Sequence, residues 1–174
     1  MTARGWLRRN TAALIATAVL LPVTGLVVGA DKWWDANQGA PVFATEVATG
    51  DQVTWAGATW GPATARWAQE DPAAGLPDGA RVLLVEVAVD PKGRGILCAT
   101  PQLQELTGAG RHWADAIGDL DWAYEQPSAC SSELTTPFTI EVPFLVPDDV
   151  GGPLGVDFSL ADQLPGFLRL VVVP

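Results

Sequence analysis

An uncharged stretch near the N-terminus constrains this chain more than any other feature. It runs from Thr11 to Ala30, reads TAALIATAVLLPVTGLVVGA, and lies between Arg9 and Asp31. At the helical rise of about 1.5 Å per residue, twenty residues span about 30 Å, which is the thickness of the hydrocarbon core of a bilayer. The stretch therefore predicts one transmembrane helix over residues 11–30.

A secretory signal peptide that is later removed is the alternative interpretation of this stretch. Val28-Gly29-Ala30 resembles a small-residue cleavage site. Against cleavage, the apolar core of a signal peptide runs for about 7–15 residues, and this stretch is longer. Trp6 on one side, with Trp33 and Trp34 on the other, predicts a membrane anchor, because indole rings favour the headgroup level.

The basic residues ahead of the helix predict its orientation. Arg4, Arg8 and Arg9 all precede the stretch, and positively charged flanks stay on the cytoplasmic side. Residues 1–10 then form a cytoplasmic tail, and residues 31–174 lie outside the plasma membrane. A twin-arginine export signal at Arg8-Arg9 is an alternative, although the usual surroundings of that motif are missing.

Small residues within the helix predict a face for packing against another helix. Gly25 and Gly29 form a GxxxG pair, and Ala18 falls on roughly the same face. Such residues let a second helix approach closely, although glycine and alanine are abundant in this sequence and the pattern also arises by chance. Pro22 removes one backbone hydrogen bond and predicts a kink.

Beyond a polar linker at 31–41, the pattern changes to short β-like runs separated by turn residues. The strongest is Arg81–Asp90, RVLLVEVAVD, in which the apolar residues of one face are Leu83, Val85, Val87 and Val89. Further strands are predicted at Val42–Ala44, Gln52–Trp55, Ala58–Trp67, Ile96–Thr100, Pro137–Pro147, Leu154–Leu160 and Leu168–Val173, with a hairpin over Leu103–Trp113. We therefore predict an all-β fold, an antiparallel β-sandwich at 42–174.

These runs resemble the immunoglobulin-like, telokin-type domains of bacterial exported proteins. The resemblance rests on Arg81–Asp90, the hairpin LQELTGAGRHW, the run FTIEVPFLVPDDV with its aromatic-x-Val-Pro motif at Phe144–Pro147, and a closing LRLVVV. It covers roughly Val42 to Val173 and implies an immunoglobulin-like sandwich outside the cytoplasm, with no single activity. Many members carry a lipidated cysteine after the leader. This chain has none there, so the helix would have to be its anchor.

The two cysteines fit an exported domain. Cys98 and Cys130 are the only ones in the chain, and an even count in an oxidising compartment predicts a disulfide. It would close a loop of about 33 residues. The lost entropy of the unfolded chain would then stabilise the fold by about 3–4 kcal/mol. Two free buried thiols are the alternative, and a metal site is disfavoured because the chain has a single histidine.

Charge and motifs exclude several classes of function. Residues 31–174 carry seven basic and twenty acidic side chains, so we predict no nucleic-acid partner. The acidic cluster Asp115, Asp119, Asp121 and Glu125 offers oxygen ligands, but its spacing matches no EF-hand loop. There is no phosphate-binding glycine loop. We therefore predict neither a cofactor nor a metal.

An enzymatic role has only one acid–base candidate, His112. A Ser-His-Asp arrangement would need it to meet Ser131 or Ser132 and Asp115, and no nucleophile-elbow sequence marks either serine. We predict that the protein is not an enzyme.

Eight tryptophans in 174 residues exceed what one sandwich core needs. Five of them lie beyond the membrane flanks, and we interpret these as possible partner or ligand contacts: Trp55, Trp60, Trp67, Trp113 and Trp122. Aromatic side chains concentrate the binding energy of protein contacts, although all five would also suit a core. We predict an accessory subunit of a larger membrane complex, docked on its extracytoplasmic side. The alternative is a cell-envelope module that binds a glycan, a lipid or Ca²⁺.

Overall fold

A computed structural model describes residues 3–37, 39–68, 76–120 and 125–174. The chain divides into two compact units, Met1–Ala40 and Pro41–Pro174, which we call the helix unit and the body. The elements are α1 (Ala3–Asn37), β1 (Phe43–Val47), β2 (Val53–Trp55), β3 (Ala58–Trp67), β4 (Ala80–Asp90), β5 (Gln102–Glu105), β6 (His112–Trp113), β7 (Phe138–Pro147), β8 (Leu154–Phe158) and β9 (Gly166–Val172).

The helix unit consists mainly of α1, which includes the whole uncharged stretch and Pro22. The helix continues past residue 30 to Asn37, so most of the segment assigned to a linker, 31–41, is helical. Within Asn10–Ala36, an 18-residue stretch has a mean hydropathy of 2.2, and none of that stretch is buried by the described residues. By length and composition α1 can cross a membrane, a property that it shares with signal sequences.

The body consists of two β-sheets. The first sheet has the strand order β1-β9-β8-β5-β6, and the second has the order β2-β3-β4-β7. The prediction of a β-sheet body behind one apolar helix is confirmed. The predicted antiparallel pairing holds between the described strands except at β1 and β9, which run parallel with Phe43 opposite Gly166. A tight hairpin can join only antiparallel strands, and here the rest of the body connects the two.

One hydrophobic core lies between the sheets. In β4 the predicted inner face is confirmed, since its four residues are at most 2% exposed: Leu83, Val85, Val87 and Val89. The alternation begins only at Val85, because Val82 and Leu84 on the other face are buried as well. Trp60 of the second sheet meets Phe158 of the first, with ring centroids 5.1 Å apart. Both rings are fully buried. Such aromatic pairs stabilise a fold by about 0.5–1.5 kcal/mol beyond the burial of their area.

Cys98 and Cys130 form the predicted disulfide. Both residues are buried and belong to the core. The bond ties the segment that follows β4 to the long segment that precedes β7, and neither of these has a strand partner at the cysteine. The disulfide therefore replaces the hydrogen-bonded pairing that a strand would supply.

The strand predicted at Ile96–Thr100 is wrong. The segment makes only one backbone bond to the first sheet among the described residues, from the N–H of Ala99 to the carbonyl of Ser159 at 2.9 Å. Beside it, Gly95 lies directly on the backbone of Ser132, where an added Cβ would be 1.8 Å from the carbonyl oxygen. Close contact with another loop, rather than a β-ladder, holds this segment.

Two of the outer strands, β7 and β1, differ in whether other segments cover their free edges. Along β7, the N–H of Ala116 donates to the carbonyl of Pro143 at 2.9 Å, and the N–H of Glu141 donates to the carbonyl of Pro127 at 3.0 Å. These loops cover an edge that would otherwise template pairing with another chain. Four of the five residues of β1 are exposed, and β9 is its only partner strand in the described part of the body.

Two phenylalanines test where the core lies. Phe158→Ala should lower the free energy of unfolding by about 3–5 kcal/mol, because it removes a fully buried ring and leaves a cavity. Phe43→Ala, at a side chain that is 51% exposed, should cost less than about 1 kcal/mol. Denaturant titration of the full chain in detergent, followed by tryptophan fluorescence, measures both losses. Equal losses would contradict the assignment of Phe158 to the core.

The disulfide has its own test. Replacing Cys98 and Cys130 together by alanine should destabilise the body by about 3–4 kcal/mol, because a loop of about 33 residues is no longer closed in the unfolded chain. The same titration measures the loss, with the wild type under reductant as the comparison. Identical midpoints for the wild type with and without reductant would show that the bond contributes nothing.

Candidate functional site

The helix unit leaves its predicted contact residues uncovered. Ala18, Gly25 and Gly29 are exposed, and nothing outside the helix's own backbone approaches within 4 Å of a Cβ built at either glycine. Trp33 and Trp34 are also exposed, with ring centroids 6.4 Å apart. The side chain of Trp6 lies outside the described residues. Their roles in helix packing and at the membrane interface remain predictions.

Among the tryptophans of the body, Trp60 does not fit a contact role. It is fully buried, so the prediction that it touches a partner or ligand is wrong. Its indole Nε1 donates to the carbonyl of Trp55 at 3.1 Å, and the two rings meet edge to face at 6.0 Å. Trp55 remains partly exposed. A buried indole needs such an acceptor, which explains the pairing.

Arginines cover two of the remaining rings. The guanidinium carbon of Arg81 lies 3.5 Å from the ring centroid of Trp67, and that of Arg111 lies 5.6 Å from Trp113. Both indoles are half-buried. Trp122 lies outside the described residues. Each ring therefore has one face occupied by a cation from its own chain.

The same two arginines hold the turn between β7 and β8. Arg81 Nη2 donates to the carbonyl of Val150 at 2.7 Å, and Arg111 Nη1 donates to Asp149 Oδ1 at 2.9 Å. We call residues 148–150 the arginine-held turn. The Nε of Arg81 is buried without a hydrogen-bond partner, so stacking on Trp67 and one hydrogen bond hold that side chain.

Glu105 anchors the second of these arginines. Arg111 donates to it through Nε and through Nη2, each at 3.1 Å, and the carboxylate is only 7% exposed. The hairpin folds over it at Gly108, whose φ is +84° and whose added Cβ would lie 3.0 Å from Glu105 Oε1. The hydrogen bonds from Arg111 hold the pKa of Glu105 below its ordinary value. This pair fixes the arginine that grips the turn.

Neither Arg81 nor Arg111 was singled out from the sequence. Arg111 precedes Trp113 by two residues, so a stacked pair on one face of a strand was a readable signal. Trp67 and Arg81 lie in neighbouring strands with Trp67 opposite Leu83, and the intervening loop hides that register. Long-range pairing of this kind leaves no local pattern.

Two of the residues considered for catalysis form hydrogen bonds within local turns. The carboxylate of Asp115 accepts from the N–H of Ile117 at 3.3 Å, and the hydroxyl of Ser131 accepts from the N–H of Glu133 at 3.3 Å. Within the ranges that the structure describes, no three His, Cys, Asp or Glu side chains lie close enough to hold a metal ion. Asp121, one of the acidic cluster, falls outside those ranges.

Acid should weaken the body through Glu105. Its lowered pKa means that the ionised carboxylate stabilises the fold above the ordinary value of 4.5, and that this stabilisation is lost as the pH falls through the lower folded value. Glu105→Gln should therefore lower Tm at pH 7, and its difference from wild type should shrink towards pH 3. Thermal melts of the full chain across this range provide the measurement.

Glu133→Gln is the matched control for this titration. Glu133 is exposed, so the substitution should leave Tm close to the wild-type value across the same range. A difference between Glu105→Gln and wild type that stays constant from pH 7 to pH 3 would contradict the role of the ionised carboxylate.

The geometry leaves the unburied helix and the surface of the body as the places where another molecule can bind. Comparison with protein-family models, with curated proteins and with solved structures finds no match to this chain. A functional assignment therefore rests on its own residues.

Proposed function

We propose that this chain is a non-catalytic, single-pass protein of the plasma membrane and an accessory subunit of a larger membrane complex. Its helix lies in the bilayer with the N-terminus in the cytoplasm, and its body docks on the extracytoplasmic side of the complex. The observation that carries this proposal is the apolar segment Asn10–Ala36, which nothing in the protein buries.

The size of that apolar surface is the physical reason. Each fully exposed large apolar side chain costs about 1.5–3 kcal/mol relative to its burial. Nine such residues of α1 are more than 40% exposed: Leu14, Ile15, Val19, Leu20, Leu21, Val23, Leu26, Val27 and Val28. At these exposures their sum is about as large as the whole stability of an ordinary domain. Lipid hydrocarbon removes this cost.

Two further observations support the side of the membrane and the finer fold. The Cys98–Cys130 disulfide suits an oxidising compartment outside the cytoplasm, and the arginines of the N-terminal tail suit the cytoplasmic side. In the body, successive strands change sheet from β1 to β2, from β4 to β5, from β6 to β7 and from β7 to β8. Crossings of this kind are typical of Greek-key sandwiches, which supports an immunoglobulin-like body.

The tryptophans favour a protein partner over a glycan. A sugar stacks on a free indole face, whereas one face of Trp67 and one of Trp113 carry an arginine of the same chain. Arginine-backed aromatic rings are common in the centre of protein interfaces. The short connection from the helix to β1, residues 38–42, also suits docking close to the membrane better than reaching for a distant ligand.

Purification from native membranes tests the proposal. The protein should stay in the membrane pellet after an alkaline wash, and its intact mass should include residues 1–30. In mild detergent it should bring down one membrane protein in a fixed ratio. Gly25→Leu with Gly29→Leu should reduce that recovery at least tenfold, because the two side chains block close helix approach.

Val23→Leu with Val27→Leu is the matched control. It adds bulk at the same spacing on a different face of α1 and should leave the recovery unchanged. A mature chain that begins at Asp31 and is found free in the medium would refute the membrane anchor. A full-length chain that purifies alone would refute the accessory role.

A further inference from the structure

Almost all cationic groups of the body are bonded to other groups of the body. Of its six basic residues, five have their cationic groups bonded to a carboxylate or a carbonyl of the body: Arg66 to Glu86, Arg81 to Val150, Lys92 to Asp90, Arg111 to Glu105 and Asp149, and Arg169 to Asp157. The sixth is Arg94. In the described part of the chain its guanidinium has no such partner, and only its backbone N–H is bonded, to the carbonyl of Pro91.

Arg94 lines a depression of about 350 Å³ at one end of the body. Its guanidinium lies against Gly57, where an added Cβ would be 2.4 Å from Nη2. Ile96 and Leu160 line the same depression and are buried, whereas Leu97 is 70% exposed. We call this the Arg94 pocket. It combines one free cation with an apolar surface.

The Arg94 pocket lies at the end of the body where β1 begins. The loop between β8 and β9 contributes Leu160, Ala161 and Asp162 to the pocket. The same loop bonds the beginning of β1, since the carbonyl of Pro165 accepts from the N–H of Phe43 at 3.1 Å. The connection 38–42 is short, and a chain of that length spans at most about 20 Å.

We propose that the Arg94 pocket docks a short acidic segment of the membrane protein partner, with a carboxylate on Arg94 and an apolar side chain over Leu97. This inference rests on the proposed function. Guanidinium and carboxylate match in planar, paired hydrogen bonds. The other acidic groups of the body repel such a segment only over a short range, because charges more than about 8 Å apart are screened at physiological salt.

Charge within the pocket makes the match selective. Asp162 is the other charged residue in its lining, and it forms no ion pair with Arg94. A second carboxylate close to Asp162 is disfavoured, so the segment must present its acid to Arg94 and its apolar group elsewhere. Removing the charge of Asp162 should therefore strengthen docking, whereas reversing the charge of Arg94 should abolish it.

Expected affinity favours a tethered partner over a free small anion. One solvent-exposed ion pair and one covered apolar side chain give an affinity on the order of millimolar. A free carboxylate at lower concentration would leave the pocket empty. Two proteins anchored in one complex meet at an effective concentration that is also on the order of millimolar, which is enough to keep the pocket occupied.

Photocross-linking in native membranes tests this docking. The photoreactive residue p-benzoylphenylalanine replaces Leu97 in the full-length chain, and the cross-linked peptide is identified by mass spectrometry. We expect a peptide of the partner that contains Asp or Glu. Arg94→Glu should reduce the cross-link at least tenfold, Arg94→Lys should retain part of it, and Asp162→Asn should increase it.

Arg66→Glu is the matched control, because it makes the same charge change at a side chain that is 61% exposed elsewhere on the body. It should leave the cross-link unchanged. Equal melting temperatures for Arg94→Glu and Arg66→Glu show that both chains fold. A gain from Asp162→Asn cannot come from misfolding, so it tests the pocket independently.

The outcomes separate this inference from the proposed function. If the partner co-purifies but the cross-link ignores Arg94→Glu and Asp162→Asn, or maps to a peptide without a carboxylate, the docking is overturned and the accessory role stands. A cross-link to lipid or glycan overturns the docking as well. If no membrane protein co-purifies with the wild type, both fail together.

Discussion

The contact between Trp60 and Phe158 is the interaction on which the body depends. It joins the second sheet to the first at the centre of the core, where both rings are fully buried. Burying an indole requires an acceptor for its N–H, and the carbonyl of Trp55 supplies it from the neighbouring strand.

Charge has been organised around that core in two different ways. Arg111 and Arg81 stack on tryptophans of the body and donate hydrogen bonds to the turn after β7. Their positive charge thus serves packing rather than recognition. An acidic surface remains, and among the described basic residues of the body Arg94 is the one whose cationic group is bonded to no carboxylate or carbonyl.

Much of this body was readable from sequence because burial leaves a periodic trace. The alternation in β4, the hairpin from Leu103 to Trp113 and the Cys98–Cys130 bond follow from local pattern and cysteine count. The segment Ile96–Thr100 misled because Ile96 and Cys98 are buried and Leu97 between them is exposed, which is the alternation of a strand without its hydrogen-bonded partner. A pattern reports that a side chain is buried, and not what buries it.

The candidate site was harder to predict for a related reason. Trp60 and Trp67 have similar local surroundings in sequence, yet one fills the core and the other lies under an arginine. Only the pairing of strands far apart in the chain separates them. The sequence hid the state of Arg94 for the same reason. The other five basic residues of the body have bonded partners that only the fold brings close, and Arg94 has none among the described residues.

The parallel pairing of β1 with β9 has a consequence for how the body is made. The first strand to be synthesised completes its sheet only with the last one, more than a hundred residues later. Contacts so distant in sequence are slow to form, because the loop must close before they contribute. The free edge of the first sheet therefore stays unpaired until β9 has also been synthesised.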